Sequence, residues 1–191
     1  MKIIAITTPK VTDDDVPIIK LLLRGGVDAV HLRKPESSVD ECRALLKRLT
    51  AEQRSKIIIH DYPELYSEFS LRGIHTNRNV VALPEGYCGS RTRSCHTLEE
   101  VVRYKSDYDY LFLSPIFDSL SKRGYTSGFS AEELQRAADE GIIDEKVIAL
   151  GGVTFDKIVY LERLNFGGVA MIGALYDIEK ITSLKDKGFL R

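Results

Sequence analysis

The sequence predicts an α/β fold: a (βα)8 TIM barrel, one compact domain over residues 1–191. Three observations predict it. Short β-branched or apolar runs alternate with amphipathic helical patterns, as parallel βαβ units require. The runs number eight, at 2–7, 28–33, 56–60, 73–76, 91–96, 110–115, 146–152 and 167–173. Glycine-containing ends mark the last two runs, where barrels commonly place a phosphate site. The rival is an open doubly wound sheet, but no GxGxxG follows the first run. Such barrels usually need about 200–250 residues, so a chain of 191 is a stripped-down version.

Composition narrows the function classes. The chain is 43% hydrophobic and 29% charged with a net charge of −1, a globular composition without the basic excess of a nucleic-acid binder. No window approaches the roughly 18 consecutive apolar residues of a membrane span. The opening MKIIAITTPK meets Pro9 and the acidic Asp13–Asp15 too soon for a signal peptide, and reads as the first strand. The three cysteines, Cys42, Cys88 and Cys95, form no CxxC and suggest neither a disulfide framework nor a zinc site. Reduced thiols and a cytoplasmic location are expected. Cys95 reads as a core thiol.

The elements follow in order. After KIIAIT, the stretch VPIIKLLLRGG (16–26) has helical apolar spacing and closes on a glycine pair. DAVHLR is strand two. SVDECRALLKRL (38–49) opens with Ser38 and Glu41, a capping-box pattern. KIIIH is strand three, PELYSEF (63–69) a short helix and GIHT strand four. NRNVVALPEGYCG (77–89) reads as turns or one short helix. RTRSCH and YLFLSP are strands five and six. SAEELQRAADEG (130–141) repeats the capping box with Ser130 and Glu133 and ends at Gly141. KVIALGG is strand seven, TFDKIVYLERL (154–164) a helix capped by Thr154, and GGVAMIG strand eight.

In a barrel, chemistry belongs at the C-terminal strand ends. All four histidines, His31, His60, His75 and His96, lie in or at the ends of strands two to five. One such histidine is usually a hydrogen-bonded core residue; four in consecutive strands point to a site able to shuttle protons. A metal reading is weak, because no HxxxH or HxH spacing ties two of them to one ion. Asp61 could ligate magnesium, which ordinarily wants a second carboxylate or a substrate phosphate as well. Cations and hydroxyls gather elsewhere. Arg33 and Lys34 end strand two. The loop SPIFDSLSKRGY (114–125) carries Ser114, Ser119, Ser121, Lys122 and Arg123. Glycines at ALGGV and FGGVAMIGAL let a phosphate approach backbone N–H groups.

Together these motifs resemble the thiamine-phosphate synthase/TenI superfamily of (βα)8 barrels. The resemblance spans nearly the whole chain. It rests on AVHLRKPESS, IIIHD, GIHT, SCHTLEE, YLFLSPIFDSLSK, VIALGGV and GGVAMIGAL, in that order and spacing. Synthases of this family join a thiazole phosphate to an aminopyrimidine pyrophosphate and release pyrophosphate. TenI members tautomerise the thiazole carboxylate phosphate.

Carried over residue by residue, the resemblance is uneven. Arg33 matches the arginine of a Gln-x-Arg-x-Lys motif, but His31 and Pro35 stand at the glutamine and lysine positions. Asp61 matches one metal-binding aspartate, with His60 at its asparagine neighbour and Val80 at the second metal carboxylate. Ser94 and His96 match a Ser-x-His motif. Ser119, Ser121 and Lys122 match Thr-x-Thr-Lys. Gly151, Gly152, Ile172 and Gly173 match the thiazole-phosphate loops. The pyrophosphate half is thinned and the thiazole half kept.

The resemblance therefore implies first a thiazole tautomerase. His96 would be its acid/base, Lys122 would assist, and no cofactor would be required. His31, Arg33, His60, His75, Ser94, Ser119, Ser121, Gly151, Gly152, Ile172 and Gly173 would bind substrate or phosphate. A magnesium-dependent synthase using Asp61, and a non-catalytic thiazole or thiamine phosphate binder, are the alternatives. An aromatic amino-acid isomerase fits poorly, since strand one ends in Thr7–Thr8 without a cysteine. The expected partner is a small-molecule thiazole phosphate, with no nucleic acid and no membrane. Homo-oligomerisation is left open.

Overall fold

A computed structural model describes residues 1–77, 82–118, 128–172 and 175. Its strands are β1 (Lys2–Ile6), β2 (Ala29–Leu32), β3 (Ile57–Ile59), β4 (Gly73–Thr76), β5 (Ser90–Cys95), β6 (Tyr110–Leu113), β7 (Val147–Leu150) and β8 (Gly168–Met171). They run in chain order around a closed barrel, and the predicted fold class is the one observed. The strands are buried end to end where they read III, YLFL or GVAM. That is the pattern of a parallel sheet covered on both faces. Six are one to three residues shorter than predicted, because residues at their ends leave the ladder for the loops, and β5 is shifted by one residue.

The helices are α1 (Asp15–Arg24), α2 (Val39–Lys47), α3 (Ala51–Arg54), α4 (Glu64–Phe69), α5 (Leu98–Tyr104), α6 (Ala131–Asp139) and α7 (Ile158–Arg163). Both predicted capping boxes form: Ser38 with Glu41 and Ser130 with Glu133. The helix α1 closes at Gly25 and Gly26, the latter at φ +88°. Thr154 is a correction. It precedes a 3-10 turn at Phe155–Lys157 and makes no side-chain cap bond, so α7 begins only at Ile158. Two features were not singled out: the box of Thr50 with Gln53 that starts α3, and α5, started by the Thr97 hydroxyl accepting the Glu100 N–H. Between Asn77 and Gly89 the described residues are turn, not helix.

Close packing divides the described chain into two compact units. One holds Met1–Ile3 with Arg91–Met171. The other holds Ile4–Ser90 with the described residues after Met171. Among the described residues no helix is long and apolar enough to cross a membrane.

Candidate active site

In the unit built on Ile4–Ser90, parallel register assembles three histidines. His31 on β2 lies opposite Ile58, and Ile59 on β3 lies opposite Ile74 on β4. One residue further on, His60 and His75 come side by side. Their rings stack, with centroids 4.0 Å and planes 12° apart. His31 meets His60 edge-on at 5.0 Å and His75 at 5.6 Å. The His31 Nδ1 and His60 Nε2 atoms are 2.7 Å apart, so one ring donates a hydrogen bond to the other. All three are sealed from solvent, at 0%, 6% and 2% exposure. Burial, then the charge that neighbouring His75 would carry, pushes His31 and His60 well below the ordinary imidazole range. Both rings are therefore neutral near pH 7.

The cations of this unit divide. Lys34 is buried. Its Nζ donates to Asp15 Oδ1 at 2.6 Å and to the Lys10 carbonyl at 2.9 Å. Burial lowers the ammonium's pKa, against the raising effect of its hydrogen bond to Asp15. Lys34 thus serves an internal ion pair. Arg33 is exposed at the end of β2, where its backbone N–H donates to Thr7 Oγ1 and its carbonyl accepts from that hydroxyl, both at 3.0 Å. Asp61 is half-buried and accepts the Lys34 backbone N–H at 3.0 Å.

In the other unit, β5 ends in Ser94, Cys95 and His96. Cys95 is fully buried, and desolvation pushes its thiol up to about 12, so it is no nucleophile. His96 is exposed. Its backbone N–H donates to Glu100 Oε2 at 2.6 Å, and its Nδ1 stands 2.9 Å from the Ser114 carbonyl. A carbonyl only accepts, so Nδ1 carries the proton and Nε2 is left as the basic atom. Ser94 lies two residues earlier, on the same strand face as His96, half-buried and in register with Phe112.

Gly151 and Gly152 follow β7 at φ +90° and +61°. A Cβ on Gly151 would come within 2.8 Å of Pro115 Cα, and one on Gly152 within 2.5 Å of the Asp118 carbonyl oxygen. Ile116 and Phe117 donate backbone bonds to Leu150 and Gly151. The glycines therefore let the start of the loop after β6 lie against this turn. Lys157 was missed by the sequence reading. Its Nζ donates to the Gly152 carbonyl at 2.9 Å and sits 4.0 Å over the Phe117 ring. Its only sequence signal was a lysine three residues past a predicted cap. Ile172, just beyond β8, is 43% exposed. Ser119, Ser121, Lys122 and Gly173 lie outside the described residues, as do Val80 and Arg123.

Magnesium wants hard oxygen donors in near-octahedral array. Here Asp61 offers one carboxylate beside imidazole nitrogens, and the residue type at Val80 offers none. Among the described residues Asp61 is the one carboxylate at these positions, so a magnesium ion here would need substrate phosphate oxygens as well.

An eight-stranded parallel barrel with ionisable groups at its strand ends defines the class of (βα)8-barrel proteins that carry their chemistry on the C-terminal face. Within that class, residues 3–175 match the family model described as thiamine monophosphate synthase. The chain belongs to this family, the thiamine-phosphate synthase/TenI superfamily of thiamine biosynthesis.

It is 24% identical over 173 residues to a thiamine-phosphate synthase of Bacteroides thetaiotaomicron, covering 83% of this chain and 82% of that protein. It is 27% identical over 183 residues to one of Helicobacter pylori, covering 88% and 80%. A crystal structure of thiamine phosphate pyrophosphorylase from Bacteroides thetaiotaomicron superposes with a TM-score of 0.84 at 35% identity, over 97% of this chain and 98% of that one. A Pyrococcus furiosus thiamine phosphate pyrophosphorylase, at 18% identity and TM-score 0.71 over 97% and 96%, shows the fold alone. These names support the synthase alternative rather than the tautomerase expected first.

Proposed function

We propose that the chain is an enzyme acting on a thiazole phosphate, and that its reaction is a proton shift: tautomerisation of the thiazole carboxylate phosphate. The observation that carries this reading is His96, exposed, with its Nδ1 proton held by the Ser114 carbonyl and Nε2 left as the basic atom. Nε2 takes a proton from one position of the thiazole ring, and the resulting imidazolium returns it at another. No bond to a leaving group breaks and no metal is called for. A positioned acid–base group contributes roughly 10²–10⁴-fold to such a step. The Gly151 and Gly152 turn is the candidate seat of the phosphate, with Ile172, Gly173, Ser119, Ser121 and Lys122 assigned to it by family resemblance alone.

The thinned pyrophosphate half supports the same reading. Departure of a pyrophosphate needs cations or metal to hold its growing charge. At the matching positions stand the buried His31 and His60, Pro35 and Val80, and the neighbouring Lys34 is committed to Asp15. The relatives' names favour a second reading, a synthase joining thiazole phosphate to aminopyrimidine pyrophosphate, with the exposed Arg33 as its anion grip.

A paired assay separates them. One arm supplies the unaromatised thiazole carboxylate phosphate and follows its ultraviolet change. The other supplies thiazole phosphate, aminopyrimidine pyrophosphate and magnesium, and follows pyrophosphate. Turnover in the first arm alone is expected. Pyrophosphate at an enzymatic rate would establish the synthase. Binding of thiazole phosphate with silence in both arms would leave a carrier or regulatory protein.

A further inference from the structure

We propose that His31, His60 and His75 form a binding site for one divalent transition-metal ion of the zinc class, held through three imidazole nitrogens. The observation is their convergence. Each residue offers one nitrogen, and the three nitrogens lie within 4.8 Å of one another. They come from β2, the end of β3 and β4, three neighbouring strands whose register fixes where each ring starts. Three protein ligands with a fourth position left for water or an exogenous group is a common zinc arrangement.

The chemistry selects the ion. Neutral imidazole nitrogen is a borderline donor that suits zinc, cobalt, nickel or copper and not magnesium or calcium. Ligation needs the deprotonated ring. The fit needs movement: His60 and His75 stack with planes 12° apart, so one ring must turn before both in-plane lone pairs meet one ion, and nitrogens up to 4.8 Å apart must close. Two nitrogens on a tetrahedral zinc at about 2.0–2.1 Å stand roughly 3.3 Å apart, against 2.7 Å between His31 Nδ1 and His60 Nε2. Opening that contact by about half an ångström converts a hydrogen-bonded pair into two ligands, as the geometry of zinc–imidazole sites requires. Arg33 and Arg72 bring positive charge near these rings and oppose the ion. Affinity then rests on the number of nitrogen ligands rather than on the field around them.

The test uses the full-length untagged chain, stripped with chelator and titrated with zinc or cobalt alone. Expected are one equivalent of metal per chain by elemental analysis, a visible cobalt spectrum typical of nitrogen ligands, and no displacement by excess magnesium. His60→Gln and His75→Asn, each checked for folding by circular dichroism, should each weaken binding at least about 100-fold. Cys88→Ser should leave it unchanged, since Cys88 is the exposed one of the three cysteines and the rival soft ligand to exclude. Absence of stoichiometric binding to folded wild-type chain overturns the proposal. So does binding that survives in either folded histidine variant, or that disappears in Cys88→Ser. If one histidine variant fails to fold, the other and the wild-type cobalt spectrum still decide.

Discussion

Imidazole is used in two opposite ways in this molecule. In the unit built on Ile4–Ser90, three rings are buried against one another, and burial keeps His31 and His60 neutral. In the unit built on Arg91–Met171, His96 stands exposed with its tautomer fixed by one carbonyl. The first arrangement can ligate or pack, but cannot take a proton from a substrate without first accepting charge in a dry place. The second is solvated, oriented and ready to exchange a proton. A histidine at a strand end is therefore only a starting point; the neighbours decide what it does.

The sharpest test of that contrast is removal of the exposed ring. His96→Ala should slow proton transfer on the thiazole substrate by roughly 10²–10⁴-fold while leaving substrate affinity nearly unchanged. Steady-state kinetics with separate kcat and KM would show it, and near-wild-type turnover would detach His96 from the chemistry.

The next effect belongs to the buried unit and to stability. Lys34→Met strands the Asp15 carboxylate in the interior and should cost about 3–5 kcal/mol by urea denaturation. The double variant Lys34→Met/Asp15→Leu should regain part of that loss. A cost under 1 kcal/mol for the single variant would mean the pair is wetter than its 1% and 0% exposures indicate.

Gly152→Ala is expected to cost about 1–3 kcal/mol, the usual range for a non-glycine residue forced to left-handed backbone against a neighbouring chain. Thermal unfolding would measure it. An unchanged melting temperature would show that the loop after β6 can withdraw freely.

Acid should also separate the two environments. Unfolded histidines gain protons near pH 6.5, whereas folded His31 and His60 resist protonation until well below it. Between those limits the unfolded state binds more protons, so stability falls as pH falls, by about 1.4 kcal/mol per pH unit for each histidine. Denaturation of chelated protein at pH 7.5, 6.5 and 5.5 checks the slope; a flat profile would mean that the rings take up protons in the fold as readily as in the unfolded chain.

The barrel was legible because strands such as III, YLFL and GVAM are apolar through and two helices announce themselves with Ser38–Glu41 and Ser130–Glu133. Those signals are local. What stayed hidden was non-local. The metal reading of the histidines looked weak because no short spacing joins them, yet parallel pairing places His31 against His60 across 29 residues of sequence. Lys34 looked like a site cation beside Arg33. Its partner Asp15 stands before it in sequence, and nothing in the intervening residues links the two. Thr154 looked like a cap because threonine often is one, but the chain there turns tightly first and offers its hydroxyl no helix N–H. The tautomer of His96 depends on the carbonyl of Ser114, 18 residues away, and no pattern in the chain could specify it.

The Gly151–Gly152 turn has a consequence for reading mutational scans of this protein. Backbone atoms of Pro115 and Asp118 fill the space that a side chain would need at either position. In a library selected only for folded protein, with catalysis ignored, both positions should already be depleted of every residue but glycine. Depletion there in an activity screen would carry no information about the phosphate until the folding background had been subtracted.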